Sequence, residues 1–469
     1  MADRLTRRTF LKTSALVAGT AAGLGLIHGP TLLGAGAKGQ KLRCALVGVQ
    51  GRGGSHLGAA AGEHIVAMTD VDVGHLDGAR KFLTDPKNVE KHKLESQNVA
   101  AIKTYADFRK MFDECGKNID AVFIAIPDHN HAAVAMMAIK MGKHVYCEKP
   151  LTHDIWEARA LGQAAKQYKV QTQMGNQGHC GDGYRRLVEY IRAGAIGTVK
   201  EVHTWCDNSI CPCGGTGGRP PTKPVPAGVD WDQWIGTAPF REYHDNLHPA
   251  KWRGWWDFGS GLLGDWGCHM ADGAHWILNY RMPTSIEVVK SAEGGVEMFP
   301  AINTIKYSFP AEGSQPAVTY YWWDGLVAKG KPHRPELADE LEKKYDRKLG
   351  GKGSLYVGDK GVMYTGAYGG GTSFLPPERQ KEIPEPEKTL PRNGEIFQEF
   401  IGAAKGGPAC TSNFTDAGGP LTELLLLGIL GMRAGQGATI EWDAANLKCT
   451  NKPELNKYVK REYRKGWTV

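Results

Sequence analysis

The sequence predicts an α/β protein that begins with a doubly wound parallel sheet. Short apolar segments of strand type, residues 42–49, 65–70, 121–127 and 144–147, alternate with segments of helical pattern. The first of these strands also leads directly into a glycine-rich turn. Strand–turn–helix units in this order build parallel sheets with helices on both faces.

The composition is that of an ordinary globular protein. The 469 residues include 57 Lys+Arg and 50 Asp+Glu, for a formal net charge of +7, and 41% are hydrophobic. These values exclude a disordered chain, a coiled coil and a polytopic membrane protein. The basic excess is small and indicates no nucleic acid partner; the basic tail, residues 452–465, is more typical of a solvated helix or subunit contact. Ten cysteines are too few for a disulfide scaffold.

The N-terminus has the three parts of an export signal. Arg7-Arg8 lies in a segment, residues 6–12, that fits the twin-arginine consensus. The weakly apolar residues 15–27 follow, and they are fewer than the about 20 that a transmembrane helix needs. Ala35-Gly36-Ala37 then offers a cleavage site of small residues.

We therefore predict that residues 1–37 are a twin-arginine signal peptide and that the mature chain starts at Lys38. The protein is expected to be exported, to the periplasm or beyond. No cysteine precedes Cys44, so a lipid or membrane anchor is not expected. The alternative is a chance arginine pair before an apolar run.

The glycine-rich turn is an imperfect G-x-G-x-x-G motif. Gly48 and Gly53 occupy its first and third glycine positions, but Gln50 stands at the second. In this motif the glycines allow a tight turn, a close approach to a pyrophosphate and close helix–strand packing. Gly51 offers the backbone freedom that Gln50 lacks, and Arg52 lies beside it. We predict that this turn binds a dinucleotide.

An acidic residue ends the second strand. Asp70 lies 22 residues beyond Gly48, where a carboxylate binds the adenosine ribose hydroxyls and repels a 2′-phosphate. This position favours NAD over NADP, although NADP remains open. A helix cap is the alternative role for Asp70, and Asp72 competes for the ribose.

Further polar residues follow the third and fourth strands. Ligands of doubly wound sheets bind at the carboxyl ends of strands. We therefore add five residues to the predicted cofactor site: Pro127, Asp128, His131, Glu148 and Lys149.

Three residues are candidates for catalysis. Lys149, in Glu148-Lys149-Pro150, supplies a cation after a strand whose end faces the predicted cofactor. Asp265 and His269 are spaced i, i+4, so on a helix both face one side. A histidine beside a carboxylate is a ready general base. Taken singly, each has an ordinary structural alternative: a surface lysine, a helix cap and a core histidine.

Together these motifs resemble the Gfo/Idh/MocA oxidoreductases, named for glucose-fructose oxidoreductase and inositol dehydrogenase. The resemblance spans nearly the whole mature chain. It is carried by the glycine-rich turn, residues 127–131, 142–144 and 148–150, and Asp265-x-x-x-His269. Residues 252–261 and 463–467 are similar to the exported bacterial branch of the family.

The resemblance implies two domains after the signal peptide. Residues 38–165 would be an NAD(P)-binding Rossmann domain. Residues 166–469 would be an α/β domain with an open, mainly antiparallel sheet that binds substrate and supports a homodimer or homotetramer. Strand-like residues 199–205, 285–291, 304–309 and 317–323 fit that sheet. Residues 206–250 and 326–352 would be insertions that wall the pocket or reach a neighbouring subunit.

The implied substrate is a small carbohydrate, and the implied reaction is hydride transfer between a sugar or polyol carbon and a tightly held nicotinamide cofactor. In this mechanism His269 removes a proton from a hydroxyl, Asp265 orients it, and Lys149 stabilises the reacting oxygen. Other substrate candidates are Asn176, with Gln177 and His179 nearby, and the stacking face of Trp256. For Asn176, Gln177 and His179, a polar turn is an equally open interpretation. For Trp256, and for Trp205, Trp252 and Trp255, core packing is equally open.

A zinc site is not expected. Cys206, Cys211 and Cys213 lie close together, but C-x₄-C-x-C is not a paired zinc pattern and no fourth ligand is evident. A disulfide or plain thiols are the favoured states of these cysteines.

Two other functions remain open. One is an NAD-dependent glycosidase, which oxidises a sugar transiently, eliminates the aglycone and reduces the sugar again. The intact Glu148-Lys149-Pro150 favours the dehydrogenase over it. The other is a non-catalytic sugar-binding relative, which the complete set of Lys149, Asp265 and His269 argues against.

Overall fold

A computed structural model describes residues 40–94, 97–207, 213–214, 218–292 and 294–469. The predicted signal peptide and Cys211 lie outside the described residues. Within the described part of the chain, no helix is both long and apolar enough to span a bilayer.

The first sheet is parallel throughout and has six strands. Their order is β3-β2-β1-β4-β5-β6, with every neighbouring pair parallel. This arrangement confirms the predicted Rossmann sheet. The strands are β1 Arg43–Val47, β2 His64–Thr69, β3 Lys103–Tyr105, β4 Ala121–Ile124, β5 His144–Cys147 and β6 Thr172–Met174.

Helices cover both faces of this sheet because its strands are apolar on both sides. In β1, Ala45 and Val47 face one apolar core while Cys44 and Leu46 face the other. The helices around the first sheet are α1 Gly53–Ala59, α2 Val73–Thr84, α3 Pro86–His92, α4 Phe108–Cys115, α5 Asp128–Lys140 and α6 Ile155–Tyr168.

A helix from much later in the chain completes one of these faces. The helix Ile396–Ala404 packs Ile396 and Phe400 into the same core as Phe123 and Tyr146. The predicted domain division at residue 165 therefore separates this helix, and strand β6, from the sheet on which they pack.

The second sheet has nine strands in the order β15-β14-β13-β7-β10-β9-β8-β16-β17. Neighbouring strands are antiparallel except for the parallel pair β7 and β10, so the predicted open, mainly antiparallel sheet is confirmed. Its strands and the small hairpin β11–β12 are β7 Val199–Cys206, β8 Ser285–Ala292, β9 Ile302–Phe309, β10 Val318–Asp324, β11 Leu326–Ala328, β12 Lys331–Pro332, β13 Lys352–Gly358, β14 Gly361–Thr365, β15 Ser373–Leu375, β16 Thr439–Asp443 and β17 Lys448–Cys449.

Buried helices join the two sheets. The remaining helices are α7 Asp182–Arg192, α8 Trp231–Ile235, α9 Gly261–Met270, α10 Asp272–Ile277, α11 Glu336–Tyr345, α12 Ile396–Ala404 and α13 Gly418–Ala434. Helix α13 is buried along most of its length and contacts α6, α9 and β8. Glycines permit this close packing: a Cβ on Gly267 of α9 would lie 2.6 Å from Leu425 of α13. This packing fixes where α9 presents its side chains.

The first predicted insertion, residues 206–250, lies against the Rossmann domain where the structure describes it. Asp72 and Val229 form an antiparallel bridge, and Asp230 N donates to Val71 O at 2.7 Å. A cluster of aromatic side chains anchors the segment: Trp231, Trp234, Tyr243, Trp252, Trp255 and Phe258. The insertion therefore walls the same end of the sheet as the glycine-rich turn.

The C-terminal tail is bound within the chain rather than solvated. Arg461 donates to Glu157 at 2.9 Å, and Tyr463 donates its hydroxyl to the same carboxylate at 3.0 Å. Glu157 and Asp154 are buried at the start of α6, where they form a capping box. Arg461 thus compensates two carboxylates inside the Rossmann domain.

Replacing Arg461 tests this role of the tail. Arg461→Met keeps much of the side-chain volume but leaves the two buried carboxylates without their cation. We expect the free energy of unfolding to fall by about 3 kcal/mol, as measured by urea denaturation. The control is Lys465→Met, which removes an exposed cation of the same tail; equal losses in both variants would contradict the assignment.

Candidate active site

One cavity of about 620 Å³ lies at the carboxyl ends of the first sheet's strands. It is bounded by the glycine-rich turn, the N-terminus of α5, helix α9 and the insertion. The structure brings most of the predicted cofactor, catalytic and substrate residues to its lining or directly beneath it. Those on the lining are Gly48, Gln50, Gly51, Arg52, Asp70, Pro127, Asp128, His131, Glu148, Lys149, Gln177, Asp265 and His269, while Gly53 lies beneath the turn.

The glycine-rich turn has the conformation that its sequence requires. Gly48 has φ +82°, and a Cβ there would lie 2.1 Å from Ala125 O. A Cβ on Gly53 would lie 2.2 Å from Gly48 O. Gly51 has φ +59° and no neighbour within 4 Å of where its Cβ would stand, so it supplies the backbone freedom that Gln50 cannot.

Two backbone N–H groups and one histidine side chain hold the Asp70 carboxylate at the end of β2. Its carboxylate accepts from Val49 N and Asp72 N, each at 3.1 Å, and also contacts His75 Nδ1 at 3.1 Å. The helix cap is a different residue, because Asp72 accepts from Gly74 N at the start of α2. Asp70 therefore lines the cavity next to the turn, as a ribose-binding acid would.

Glu148 is a buried carboxylate that fixes the turn to β5. Arg52 Nε donates to it at 2.7 Å, and His56 Nε2 lies 3.3 Å from the same oxygen. Burial alone would raise the pKa of Glu148, but His56 and Arg52 outweigh burial and hold that pKa at about 2. Its other oxygen has no partner among the described residues.

His131 supports the loop that carries Lys149. Its two ring nitrogens lie 2.8 Å from Ile126 O and 2.9 Å from Pro150 O. These contacts join the ends of β4 and β5 beneath the cavity. Burial lowers the pKa of His131, while its contacts with the two carbonyl oxygens act in the opposite direction.

Lys149 and Asp265 form an ion pair across the cavity. The Lys149 ammonium donates to Asp265 Oδ1 at 2.8 Å and to Asp265 O at 2.6 Å, and Arg253 Nε lies 3.5 Å from the same carboxylate. Burial opposes both charges. The pairing outweighs it, so the pKa of Lys149 is raised and the pKa of Asp265 is lowered.

The structure corrects the predicted role of Asp265. The sequence predicts that Asp265 orients His269, but its carboxylate binds Lys149 instead. His269 is positioned by packing, with Tyr368 at 4.6 Å and Trp266 at 5.8 Å between ring centroids. Asp265 and His269 are one helical turn apart, so both lie on the cavity side of α9, but Asp265 accepts a hydrogen bond from Lys149 rather than from His269.

His269 is neutral, and one of its ring nitrogens is buried without a hydrogen-bond partner in the described part of the chain. Burial, with the nearby Lys149 ammonium, lowers its pKa to about 3. Its buried Nδ1 has no hydrogen-bond partner among the described residues. A neutral imidazole beside an ammonium is able to accept a proton from a bound hydroxyl.

Asp128 is a buried carboxyl group at the N-terminus of α5, beside Asp265. It begins α5, is 4% exposed, and accepts from Ser260 Oγ at 2.9 Å. Burial and the neighbouring Asp265 carboxylate raise the pKa of Asp128 to about 7. Its proton is therefore exchangeable near neutral pH.

Three predicted substrate residues do not line the cavity. Asn176 and His179 are buried and bind Asp272, at 3.1 Å and 2.9 Å, and the His179 ring stacks on Trp276. Their polar groups are already satisfied, so the polar-turn alternative describes them better. Trp256 faces a neighbouring cavity of about 520 Å³ and lies under the Arg433 guanidinium.

Arg253 and Tyr368 are two of the cavity residues that the sequence does not mark individually. Arg253 approaches Asp265, and it lies within residues 252–261, whose resemblance to the exported branch was the available signal. Tyr368 packs on His269 with φ +57°, a conformation rare for an aromatic residue. No sequence pattern marks Tyr368, because only the tertiary fold brings it to the cavity.

Comparison with known families identifies the architecture. Residues 42–176 match a family model described as the NAD-binding Rossmann fold of the Gfo/Idh/MocA oxidoreductases, and residues 214–315 match the C-terminal α/β domain of that family. The chain belongs to the Gfo/Idh/MocA oxidoreductase family. Its first sheet is therefore the NAD-binding Rossmann fold of that family, and the cavity lies at the carboxyl ends of its strands.

Curated relatives of this family are similar over part of the chain. Inositol 2-dehydrogenase of Salmonella typhimurium is 28% identical over 167 residues, which cover 34% of this chain and 45% of the relative. Levoglucosan dehydrogenase of Pseudarthrobacter phenanthrenivorans is 33% identical over 94 residues, 20% of this chain and 24% of the relative. The chain thus aligns with less than half the length of these relatives.

Solved structures of the same fold cover more of the chain at low identity. WlbA dehydrogenase from Chromobacterium violaceum, in complex with NADH and UDP-GlcNAcA, has a TM-score of 0.56 at 16% identity and covers 86% of this chain and 97% of its own. An inositol dehydrogenase homologue from Azotobacter vinelandii, complexed with NADH and myo-inositol, has a TM-score of 0.54 at 16% identity, covering 86% and 98%. These likenesses extend the shared fold across both domains.

Because the pKa of Asp128 is raised in the folded protein, the free energy of unfolding depends on pH. The folded protein holds this proton up to about pH 7, whereas an unfolded aspartate releases it near pH 4. The stability that this group contributes is therefore complete below about pH 4 and is lost as the pH rises through about 7.

Asp128→Asn removes that dependence and keeps an oxygen that can accept from Ser260. We expect the free energy of unfolding of Asp128→Asn, relative to the parent protein, to rise between about pH 4 and pH 7 and then to level off. Chemical denaturation at several pH values measures this difference. A difference that stays constant across the range would contradict the pKa assignment.

Proposed function

We propose that this protein is an NAD-dependent carbohydrate oxidoreductase, which moves a hydride between a hydroxyl-bearing carbon of a sugar or polyol and a nicotinamide cofactor. The observation that carries the proposal is that one cavity holds both the glycine-rich turn and the set of Lys149, Asp265 and His269. The relatives named inositol and levoglucosan dehydrogenases support a carbohydrate as the substrate class.

The residues present fit a dinucleotide. The open side of Gly51 leaves space for a pyrophosphate beside the N-terminus of α1, and Asp70 faces the expected ribose position. A carboxylate at this position repels a 2′-phosphate, so we favour NAD over NADP. When bound, the nicotinamide ring supplies the hydride acceptor.

The remaining residues perform the proton chemistry. In the oxidative direction His269, neutral at physiological pH, accepts the proton of the reacting hydroxyl. The Lys149 ammonium hydrogen-bonds the same oxygen and stabilises its developing negative charge. Asp265 keeps Lys149 charged and aimed at the cavity, and its second oxygen is able to accept from an adjacent substrate hydroxyl.

The first test of this mechanism is Lys149→Met, which keeps the apolar stem of the side chain and removes the ammonium. We expect kcat to fall by about 10²–10⁴-fold, because the ammonium that stabilises the reacting oxygen is lost. Cofactor affinity, measured by fluorescence titration, is expected to change little. Lys140→Met, at an exposed lysine of α5, is the matched control.

The assay uses free sugars, polyols and aryl glycosides, with reduced nicotinamide and released aglycone both recorded. Reduction of the cofactor by a free sugar or polyol, lost in Lys149→Met, supports the proposal. Aglycone release without net cofactor reduction would replace it by the NAD-dependent glycosidase. Equal turnover of Lys149→Met and the parent protein would remove Lys149 from the mechanism.

We also propose that the protein is exported by the twin-arginine route. The support is the sequence of the leader, with Arg7-Arg8, a weakly apolar stretch and a small-residue cleavage site. This route carries folded proteins, so a chain with a cofactor already bound is able to use it.

The arginine pair provides the test of export. In a bacterial host that has this route, Arg7→Lys/Arg8→Lys is expected to keep the protein in the cytoplasm with its leader uncleaved. The control Arg4→Lys lies outside the pair and is expected to behave as the parent does. Cell fractionation and intact mass measure both results, and an unchanged distribution of the double variant would reject this route.

A further inference from the structure

Three side chains with metal-binding chemistry meet at the rim of the cavity, beside Asp70. Asp72 and His75 lie at the start of α2, whereas His248 comes from the insertion. One ligand atom from each residue lies within 4.8 Å of the other two. The proposed proton chemistry does not use this group, although His75 and His248 line the same cavity and His75 contacts Asp70.

The two carboxylate oxygens of Asp72 have different partners. Oδ1 accepts from Gly74 N at 2.9 Å and caps helix α2. Oδ2 lies 3.3 Å from His248 Nε2 and 3.5 Å from His75 Nε2. The cap therefore fixes the carboxylate, while Oδ2 faces both imidazoles and is within hydrogen-bond distance of His248 Nε2.

Two of the three ligand separations in this group fit a tetrahedral metal centre, and the third lies within 4.8 Å. Metal–nitrogen and metal–oxygen bonds of about 2.0–2.2 Å give an edge between neighbouring ligands of about 3.3–3.6 Å in a tetrahedron. The two measured edges from Asp72 Oδ2, 3.3 Å and 3.5 Å, fall in this range. A metal ion would enter the group without rearrangement of the carboxylate.

A second carboxylate orients one of the imidazoles. Asp70 Oδ1 lies 3.1 Å from His75 Nδ1, and Asp70 is itself held by the backbone N–H groups of Val49 and Asp72. A proton on Nδ1 leaves Nε2 of His75 as a lone pair directed at the group. This carboxylate–histidine arrangement is the usual support of a metal-bound histidine.

We propose that Asp72, His75 and His248 bind a divalent transition metal ion of the Zn²⁺ type, with its fourth position open to the cavity. Two imidazoles and one carboxylate suit Zn²⁺, Co²⁺ or Ni²⁺ rather than Mg²⁺ or Ca²⁺, which take oxygen ligands. The ion ties the insertion to the first sheet and closes the rim of the cavity beside Asp70. The site requires neither substrate nor cofactor, so it stands apart from the proposed function.

Cobalt is the probe, because Co²⁺ in a tetrahedral site has intense visible absorption. The mature protein, prepared without a histidine tag and stripped with a chelator, is titrated with Co²⁺. We expect one equivalent to bind with a tetrahedral spectrum, and added Zn²⁺ to bleach it. Absence of such a spectrum in the parent protein would overturn the proposal without any variant.

Variants then locate the ion. Asp72→Asn keeps a good helix cap but removes the charged ligand, and His248→Ala removes the ligand from the insertion. Each is expected to weaken Co²⁺ binding by at least about 10-fold, while His64→Ala, at an exposed histidine, leaves it unchanged. Binding that survives in Asp72→Asn, or that falls equally in His64→Ala, would overturn the proposal. Thermal melting checks that each variant is folded. If His248→Ala does not fold, the Co²⁺ affinity of Asp72→Asn decides the test.

Discussion

The ion pair between Lys149 and Asp265 is the interaction on which the arrangement of the site depends. It joins the end of β5 in the first sheet to helix α9, 116 residues later in the chain. Burying two charges is costly unless each is fully paired, and here the ammonium also binds the Asp265 carbonyl while Arg253 approaches the carboxylate. The close packing of α9 on α13, which Gly267 permits, holds Asp265 in its position opposite Lys149.

The ion pair between Lys149 and Asp265 influences the protonation states of the neighbouring groups in the cavity. Lys149 stays protonated and Asp265 ionised because each supports the other. The ammonium and burial together keep His269 neutral, and the Asp265 carboxylate and burial together keep Asp128 protonated to about pH 7. Groups with pKa values pushed apart in this way are typical of sites that move protons. The same cavity carries the dinucleotide turn, which is why hydride transfer is the reaction that the geometry supports best.

The sequence predicted those features that depend on local pattern. Strand β1 and its turn are contiguous, and the carboxyl ends of parallel strands must share one edge, so Asp70, Asp128 and Lys149 could be placed together. The spacing of Asp265 and His269 likewise predicted a shared helix face. What local pattern could not reveal was the partner of each side chain: Asp265 binds Lys149, and Asn176 and His179 turn inward to Asp272. Contacts over long sequence distances, such as helix α12 on the first sheet, Tyr368 on His269 and the tail on Glu157, leave no periodic signal.

Hydride transfer itself is measured by following a deuterium label from the substrate to the cofactor. The protein with bound NAD would be incubated with carbohydrates that carry deuterium on each hydroxyl-bearing carbon, then denatured, and the mass of the released nicotinamide cofactor would be measured by mass spectrometry. We expect stoichiometric NAD in the parent protein and, with a substrate, one deuterium on the nicotinamide, which Lys149→Met fails to acquire. Cofactor that remains unlabelled with every carbohydrate, or a protein that binds no dinucleotide at all, would contradict the proposed hydride transfer.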